Sequence, residues 1–447
     1  MTATEAVIGF MPPVFQPHVG IPCRVGDDGR MRTVAEHQEA VRALLAPLAH
    51  RDAVDVVGVD AAGLAGSRDM DRVLADDVAS PIDHPPFDNS QMDGYAVRSD
   101  EAVPGRVFAV AARIAAGDPV RTLEPGTAAP IMTGAAVPVG ADAIVPIEAS
   151  IPDSFLPEGG KHTVEFSAPA IPGAFVRPRG SDLESGRMLL PAGTRLGAAQ
   201  WGVLAASGIR EVRVRRRLHV LVLSTGDELR EAGDELDSGQ IFDANSATMA
   251  IGVTECGAAV ADVRTVTDDA AALGAYLAAH GRSADLILTT GGVSKGAYEV
   301  VRDVFEPAGV TFSSVAMQPG GPQGLGLATL TDDAGVRFER PVVAFPGNPV
   351  SALVSFEMFL RPVLRELDGL SPRRPSSLAY LAEPLVSPGG KHQVRRGRLD
   401  AAGAVELVGG ASSHLLHGYA TSTLLVHVPL GVSHLNAGAP VETWSID

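Results

Sequence analysis

From residue 217 onward the chain alternates short apolar runs with helical patterns, and that alternation limits the fold more than any other feature. "LHVLVLSTGDEL" reads as a strand entering a polar turn, and "NSATMAIGVTECG" as a helix with Asn245 at its start and Gly257 at its end. "AVADVRTV" is a strand, "DDAAALGAYLAAHG" a helix with acids in its first turn, and "ADLILTTGG" the next strand. A helix through "AYEVVRDVFEPAG" and strands "VTFSSVAM" and "PVVAFPGN" follow. The closing helix is "PVSALVSFEMFLRPVLREL", with Asn348 suited to its N-cap and Pro349 to its first turn. Strands alternating with helices of this length imply a doubly wound, mostly parallel α/β sheet over 217–370.

Four of those strands end in turns that carry glycine: "STGDE", "TGGVSKG", "QPGGPQG" and "PGNPVS". Glycine frees the backbone for positive φ and lets amides approach a ligand closely, and a following helix adds unpaired N–H groups and the positive end of its dipole. In an open α/β sheet, ligands bind beyond the carboxyl ends of the strands. The turns therefore predict an anion cradle built from Ser224, Thr225, Gly226, Gly291, Gly292, Ser294, Lys295, Pro346, Gly347, Asn348, Pro349 and Ser351. Acids fall at the same edge: Asp227, Glu228, Asp243, Asp268 and Asp269. Each alone reads as a helix N-cap or first-turn acid. As a set, Asp227, Glu228, Asp243 and Asp269 form a candidate Mg²⁺ site, because Mg²⁺ takes one or two carboxylates plus phosphate oxygens and water. Amides and metal together point to a phosphate-bearing, nucleotide-like ligand.

The 447 residues exceed what one core usually covers, so several domains are expected. Residues 1–30 are rich in Pro and Gly and read as an extension. "TVAEHQEAVRALLAPL" follows with helical spacing and a Thr33/Glu36 capping box. Short apolar stretches broken by turn signals over 86–169 predict an inserted β-rich domain. It would interrupt an N-terminal mixed domain of 31–85 and 170–216. Residues 376–447 read as a small C-terminal β-domain. Hydrophobic content of 45% with 20% charged residues fits a globular protein, and no apolar run approaches the roughly 18 residues of a membrane span. No secretory signal is evident, so a cytoplasmic location is expected. The net charge of −17 argues against nucleic acid or anionic membranes as partners. Cys23 and Cys256 are too few for a zinc or iron–sulfur site, and Cys256 reads as a buried core thiol.

The stretches "PPFDNSQMDGYAVR", "IMTGAAVP", "VRPRGSDL", "PAGTRL", "STGDEL", "FDANS", "TTGGVSKG" and "FPGNPVSA" occur in that order. Together they resemble the molybdopterin molybdenumtransferase family, the MoeA and gephyrin E-domain proteins. The resemblance implies an elongated multidomain subunit and a homodimer whose active site draws on both chains. It implies that adenylylated molybdopterin and molybdate react with a divalent cation, usually Mg²⁺, to give molybdenum cofactor and AMP. It also implies catalytic roles for Asp88, Thr133, Asp182, Glu228 and Asp269, with Arg177, Arg179 and Glu299 near the ligand. A molybdopterin adenylyltransferase is an implied partner. Two other readings stand beside this one: a pterin-binding or scaffold paralogue without turnover, and an adenylyltransferase. One departure is plain. Where the family commonly carries a "KPGKP" pattern, this chain has Gln318 and Gly321.

Overall fold

The computed structural model describes residues 31–49, 53–64, 71–157, 159–294 and 299–447. The N-terminal extension with Cys23, and Lys295, lie outside the described residues. The described residues divide into two compact units: 31–49 with those of 218–447, and those within 50–217.

The first unit is centred on a six-stranded sheet. Its order is Ala259–Val266, His219–Thr225, Leu286–Thr290, Arg337–Phe345, Pro322–Thr331, Thr311–Ser314. The first four strands are parallel neighbours. The last two pair antiparallel, so the sheet ends in a hairpin-like edge. Strand Pro322–Thr331 is the element the pattern did not separate from its glycine turn; three glycine or proline residues among its first five hide the apolar alternation.

Alternation along the central strands builds two cores. Val220, Val222, Leu286, Leu288, Val343 and Phe345 face one side, with Met249, Val253 and Val350 from the covering helices. Leu221, Leu223, Ile287, Val342 and Ala344 face the other, with Leu273, Leu277, Val301 and Phe305. A side-chain period of two on strands buried on both faces requires this division. The helix Val34–Leu45, with its Thr33/Glu36 capping box, adds Val41 and Leu45 to the first core. Cys256 lies in that core, and burial pushes its thiol up to about 12.

A second sheet in this unit has the order Met317–Gln318, His392–Leu399, Leu424–Val428, Pro440–Ser445, Ser376–Tyr380. Its first strand belongs to the "QPGGP" turn: Met317 pairs with His392 and Gln318 with Gln393. That pairing ties the C-terminal β-sheet to the carboxyl edge of the α/β sheet.

The second unit holds a six-stranded sheet: Ala143–Pro146, Gly94–Val97, Thr127–Ile131, Phe108–Val110, Thr163–Phe166, Ser150–Ile151. Tyr95, Phe108 and Phe166 fill its core. Strands Val54–Gly58 and Glu211–Arg215 pair beside helix Ala198–Ala206, around Leu74, Trp201, Leu204 and Val214. No helix among the described residues is long and apolar enough to cross a membrane.

Candidate functional site

A cavity of about 720 Å³ opens at the carboxyl edge of the α/β sheet. All four glycine-bearing turns line it, through Thr225, Gly226, Gly291, Gly292, Ser294, Gln318 to Pro322, Pro346 to Pro349 and Ser351. Gly291 and Gly292 have φ of 97° and 58°, and a Cβ on Gly291 would stand 2.7 Å from the Thr225 carbonyl oxygen. The two glycines are thus required by backbone-to-backbone approach, which also leaves the cavity floor bare of side chains. Thr225 Oγ1 and Asn245 Oδ1 at the cavity wall are buried and have no hydrogen-bond partner among the described residues. Buried polar atoms are normally paired, so these two mark where a ligand or water would bond.

The acids separate into two groups. Asp243 is the N-cap of helix Ala244–Glu255, displacing the start expected at Asn245. Its Oδ1 accepts from Ser246 N, and its Oδ2 from the Ser246 and Thr265 hydroxyls. Asp269 caps helix Ala270–His280, accepting from Ala271 N and Ala272 N. Asp227 accepts from Asp268 N at 3.0 Å. None of these three lines the cavity, whereas Glu228, Asp268 and Glu299 do. Glu299 accepts from the Ser294 amide and hydroxyl, which closes the glycine turn. Burial, then the negative fields of Asp227, Glu228 and Glu299, push the Asp268 carboxyl above its ordinary value. The cavity wall carries excess negative charge that a cation would relieve.

The C-terminal sheet supplies wall residues that sequence reasoning missed: Lys391 and the segment 411–414, with Ser412, Ser413 and His414. "GGASSH" repeats the Gly-Gly-then-Ser pattern of "GGVS", a signal that could have found them. Arg396 is fully buried beneath this loop. It donates to the Gly410 carbonyl at 2.5 Å and the Ser412 carbonyl at 3.4 Å, and Val350 N donates to Ser413 O.

The remaining candidates gather on the second unit. Asp88 accepts from Arg179 N at 2.7 Å, and the Arg179 guanidinium pairs with Asp83. Arg177 donates to Asn89 at 3.3 Å. Thr133 donates both its amide and its hydroxyl to Asp93 at 2.7 Å, and these bonds hold Asp93 below the usual carboxylate range. Asp182 is exposed, its amide bonded to His84 O. Asp88 and Thr133 are exposed as well, and their loops adjoin through Gly134 N to Ser90 O and Val137 N to Asp88 O. Asp88→Asn keeps an acceptor for Arg179 N, and Thr133→Ala keeps the amide bond to Asp93. On the roles that the resemblance implies, each is expected to cost less than about 1 kcal/mol of stability while lowering AMP release more than tenfold. Thermal melts and single-turnover assays check this; a large drop in melting temperature, or full AMP release, contradicts it.

Comparison with known proteins follows the same division. The family model for the MoeA N-terminal region (domain I and II) matches residues 32–208, and that for a probable molybdopterin binding domain matches 221–366. Molybdopterin molybdenumtransferase 2 of Mycobacterium tuberculosis is 43% identical over 431 residues, covering 93% of this chain and 100% of the relative. The chain belongs to the molybdopterin molybdenumtransferase family. Another molybdopterin molybdenumtransferase, from Haemophilus influenzae, is 35% identical over 83% of this chain and 90% of its own. The solved molybdopterin biosynthesis MoeA protein of Pyrococcus horikoshii superposes with a TM-score of 0.74 at 28% identity, over 94% of this chain and 100% of that one. The multidomain α/β architecture is therefore that of the molybdopterin molybdenumtransferases.

Proposed function

We propose that this chain inserts molybdate into adenylylated molybdopterin, giving molybdenum cofactor and AMP. The observation that carries the reading is the cavity at the sheet edge. It joins four glycine turns, unpaired polar atoms and a cluster of carboxylates, in a chain whose relatives of that name match it along nearly their whole length. The adenylyltransferase and scaffold readings are not favoured by those relatives.

Bare glycine backbone at Gly291, Gly292 and Gly347 leaves room for phosphate oxygens against main-chain amides. Thr225 Oγ1 can donate to an oxygen, and Asn245 Oδ1 can accept from an amine or hydroxyl; its amide nitrogen is already committed to Gly347 O at 2.7 Å. Ser412 and Ser413 add hydroxyl donors from the opposite wall. Such preorganised donors stabilise charge that develops on a leaving phosphate and need no protein nucleophile.

The residues fit Mg²⁺. Glu228 and Asp268 would hold it, and the described residues contain no ready-made cage of three or more ligating side chains. That open arrangement suits an ion that keeps waters and borrows substrate oxygens. When bound, Mg²⁺ supplies charge neutralisation at the diphosphate. Glu228→Gln and Asp268→Asn are expected to weaken Mg²⁺-dependent binding of the adenylylated pterin at least tenfold, with Asp243→Asn acting on stability instead. Calorimetry with and without Mg²⁺ checks this, and identical Mg²⁺ dependence in all four proteins removes the assignment.

The assembled form proposed is a cytoplasmic homodimer, testable by light scattering. The decisive experiment for turnover is anaerobic incubation with adenylylated molybdopterin, molybdate and Mg²⁺. AMP release and reconstitution of a molybdoenzyme are expected. Tight binding without AMP would favour the scaffold reading.

A further inference from the structure

We infer that Lys391, immediately before strand His392–Leu399 of the C-terminal sheet, is the oxyanion-binding cation of this cavity. The inference rests on the cavity being the substrate site. Among the described lining residues Glu228, Asp268 and Glu299 carry negative charge, and Lys391 is the one side chain with a fixed positive charge. An anionic ligand entering such a wall needs a cation beside it, whether the oxyanion is a nucleotide phosphate or molybdate.

Two observations set Lys391 apart from a solvated surface lysine. Its ammonium has no ion pair or hydrogen bond among the described residues, although it is half-buried at the rim of an acid-bearing cavity. Its backbone is also fixed: Lys391 N donates to Pro388 O at 3.1 Å, and His392 N to Ala316 O at 2.8 Å. The next two residues pair in register with Met317 and Gln318. Gln393 Nε2 then donates to Gln318 Oε1 at 2.7 Å, so the "QPGGP" loop and the lysine strand are locked together. A flexible four-carbon stem on a fixed backbone delivers a point charge to a small region, as an oxyanion site requires.

The geometry also places a substitute for this charge. A lysine at 318 would start from the strand paired with His392 and Gln393, opposite Gln393 and so two ladder positions from Lys391. Gly321 accepts a side chain as well: its φ is outside the left-handed region, and a Cβ would stand 3.4 Å from Val315 O.

The test uses the full-length protein with three probes: AMP and molybdate titrated separately by calorimetry, and AMP release from the adenylylated pterin. Lys391→Ala should melt with wild type and weaken AMP or molybdate binding about tenfold; the probe that weakens identifies the oxyanion. Lys391→Arg should retain most affinity. Lys391→Ala with Gln318→Lys should regain at least half of the lost binding. Lys295→Ala, run in parallel, should have the smaller effect. Unchanged affinity for both probes in a folded Lys391→Ala overturns the inference, as does failure of both Lys391→Arg and Gln318→Lys to support binding. If wild type binds AMP, loses it on Lys391→Ala and never releases AMP from substrate, the turnover reading falls and this inference stands.

Discussion

Gly291→Ala is expected to destabilise the α/β sheet by about 3 kcal/mol and to abolish ligand binding in the cavity. The residue sits at φ 97°, which costs a non-glycine residue roughly 1–3 kcal/mol. Its new Cβ would also meet the Thr225 carbonyl oxygen and Oγ1, each at 2.7 Å. The carbonyl oxygen cannot retreat. Strand His219–Thr225 is hydrogen-bonded to strands on both sides, and Ser224 is in register with Thr290, one residue before the glycine. Overpacking against fixed backbone adds about 1–3 kcal/mol. Gly321→Ala is the control, because its added Cβ would meet nothing closer than 3.4 Å; it should shift stability by less than about 0.5 kcal/mol. Denaturant midpoints followed by a probe in this unit compare the two. Equal midpoints would show that the turn relaxes and that Gly291 is not held by its neighbours.

Acid lability is the second large effect. His37 is 1% exposed on helix Val34–Leu45, edge-on to Phe359 at 4.6 Å, with neither ring nitrogen paired among the described residues. Burial, then the charge of Arg32, pulls its pKa down to about 3. An unfolded histidine titrates near 6.5. Between those values the unfolded chain binds the extra proton, so stability rises with pH there and is lost as pH falls from about 6.5 toward 3. The expected loss at pH 5 is about 2 kcal/mol from His37 alone. His427 acts in the same direction: burial, then neighbouring His392, lowers its pKa to about 3, and its ring lies 4.1 Å from that of Trp444. His37→Leu should match wild type at pH 8 and exceed it by about 2 kcal/mol at pH 5. Parallel melting curves across that range check the sign; a constant difference between the two proteins contradicts the linkage.

The doubly wound sheet and the edge that holds the cavity were legible in the sequence, because both rest on local rules. Strands buried on two faces are apolar at most positions, and turns that need positive φ or close backbone approach must use glycine. "HVLVL", "LILTT" and "TTGG" obey those rules without reference to anything distant in the chain. The N-cap position of Asn348, which makes no side-chain capping bond, and the Thr33/Glu36 box are equally local.

What the sequence could not order was the competition among neighbours for the same role. Asp268 and Asp269 are adjacent and chemically identical. Only the position of the helix start decides that Asp269 caps Ala271 and Ala272 while Asp268 faces the cavity. The same holds for Asp243, whose oxygens are taken by Ser246 and Thr265, the latter on another strand. The amphipathic face of Val34–Leu45 announced a helix but not the core it would join. Lys391 and Ser412 to His414 reach the cavity only because Met317 and Gln318 leave the α/β sheet and pair with the C-terminal one. The sequence alone determined periodicity, turn chemistry and family, since each is written in residues close together or in motif order. Tertiary structure decided which carboxylates line the cavity and that Lys391 lines it with them. Those depend on hydrogen bonds and strand pairings between residues tens to hundreds of positions apart, and no local spacing encodes them.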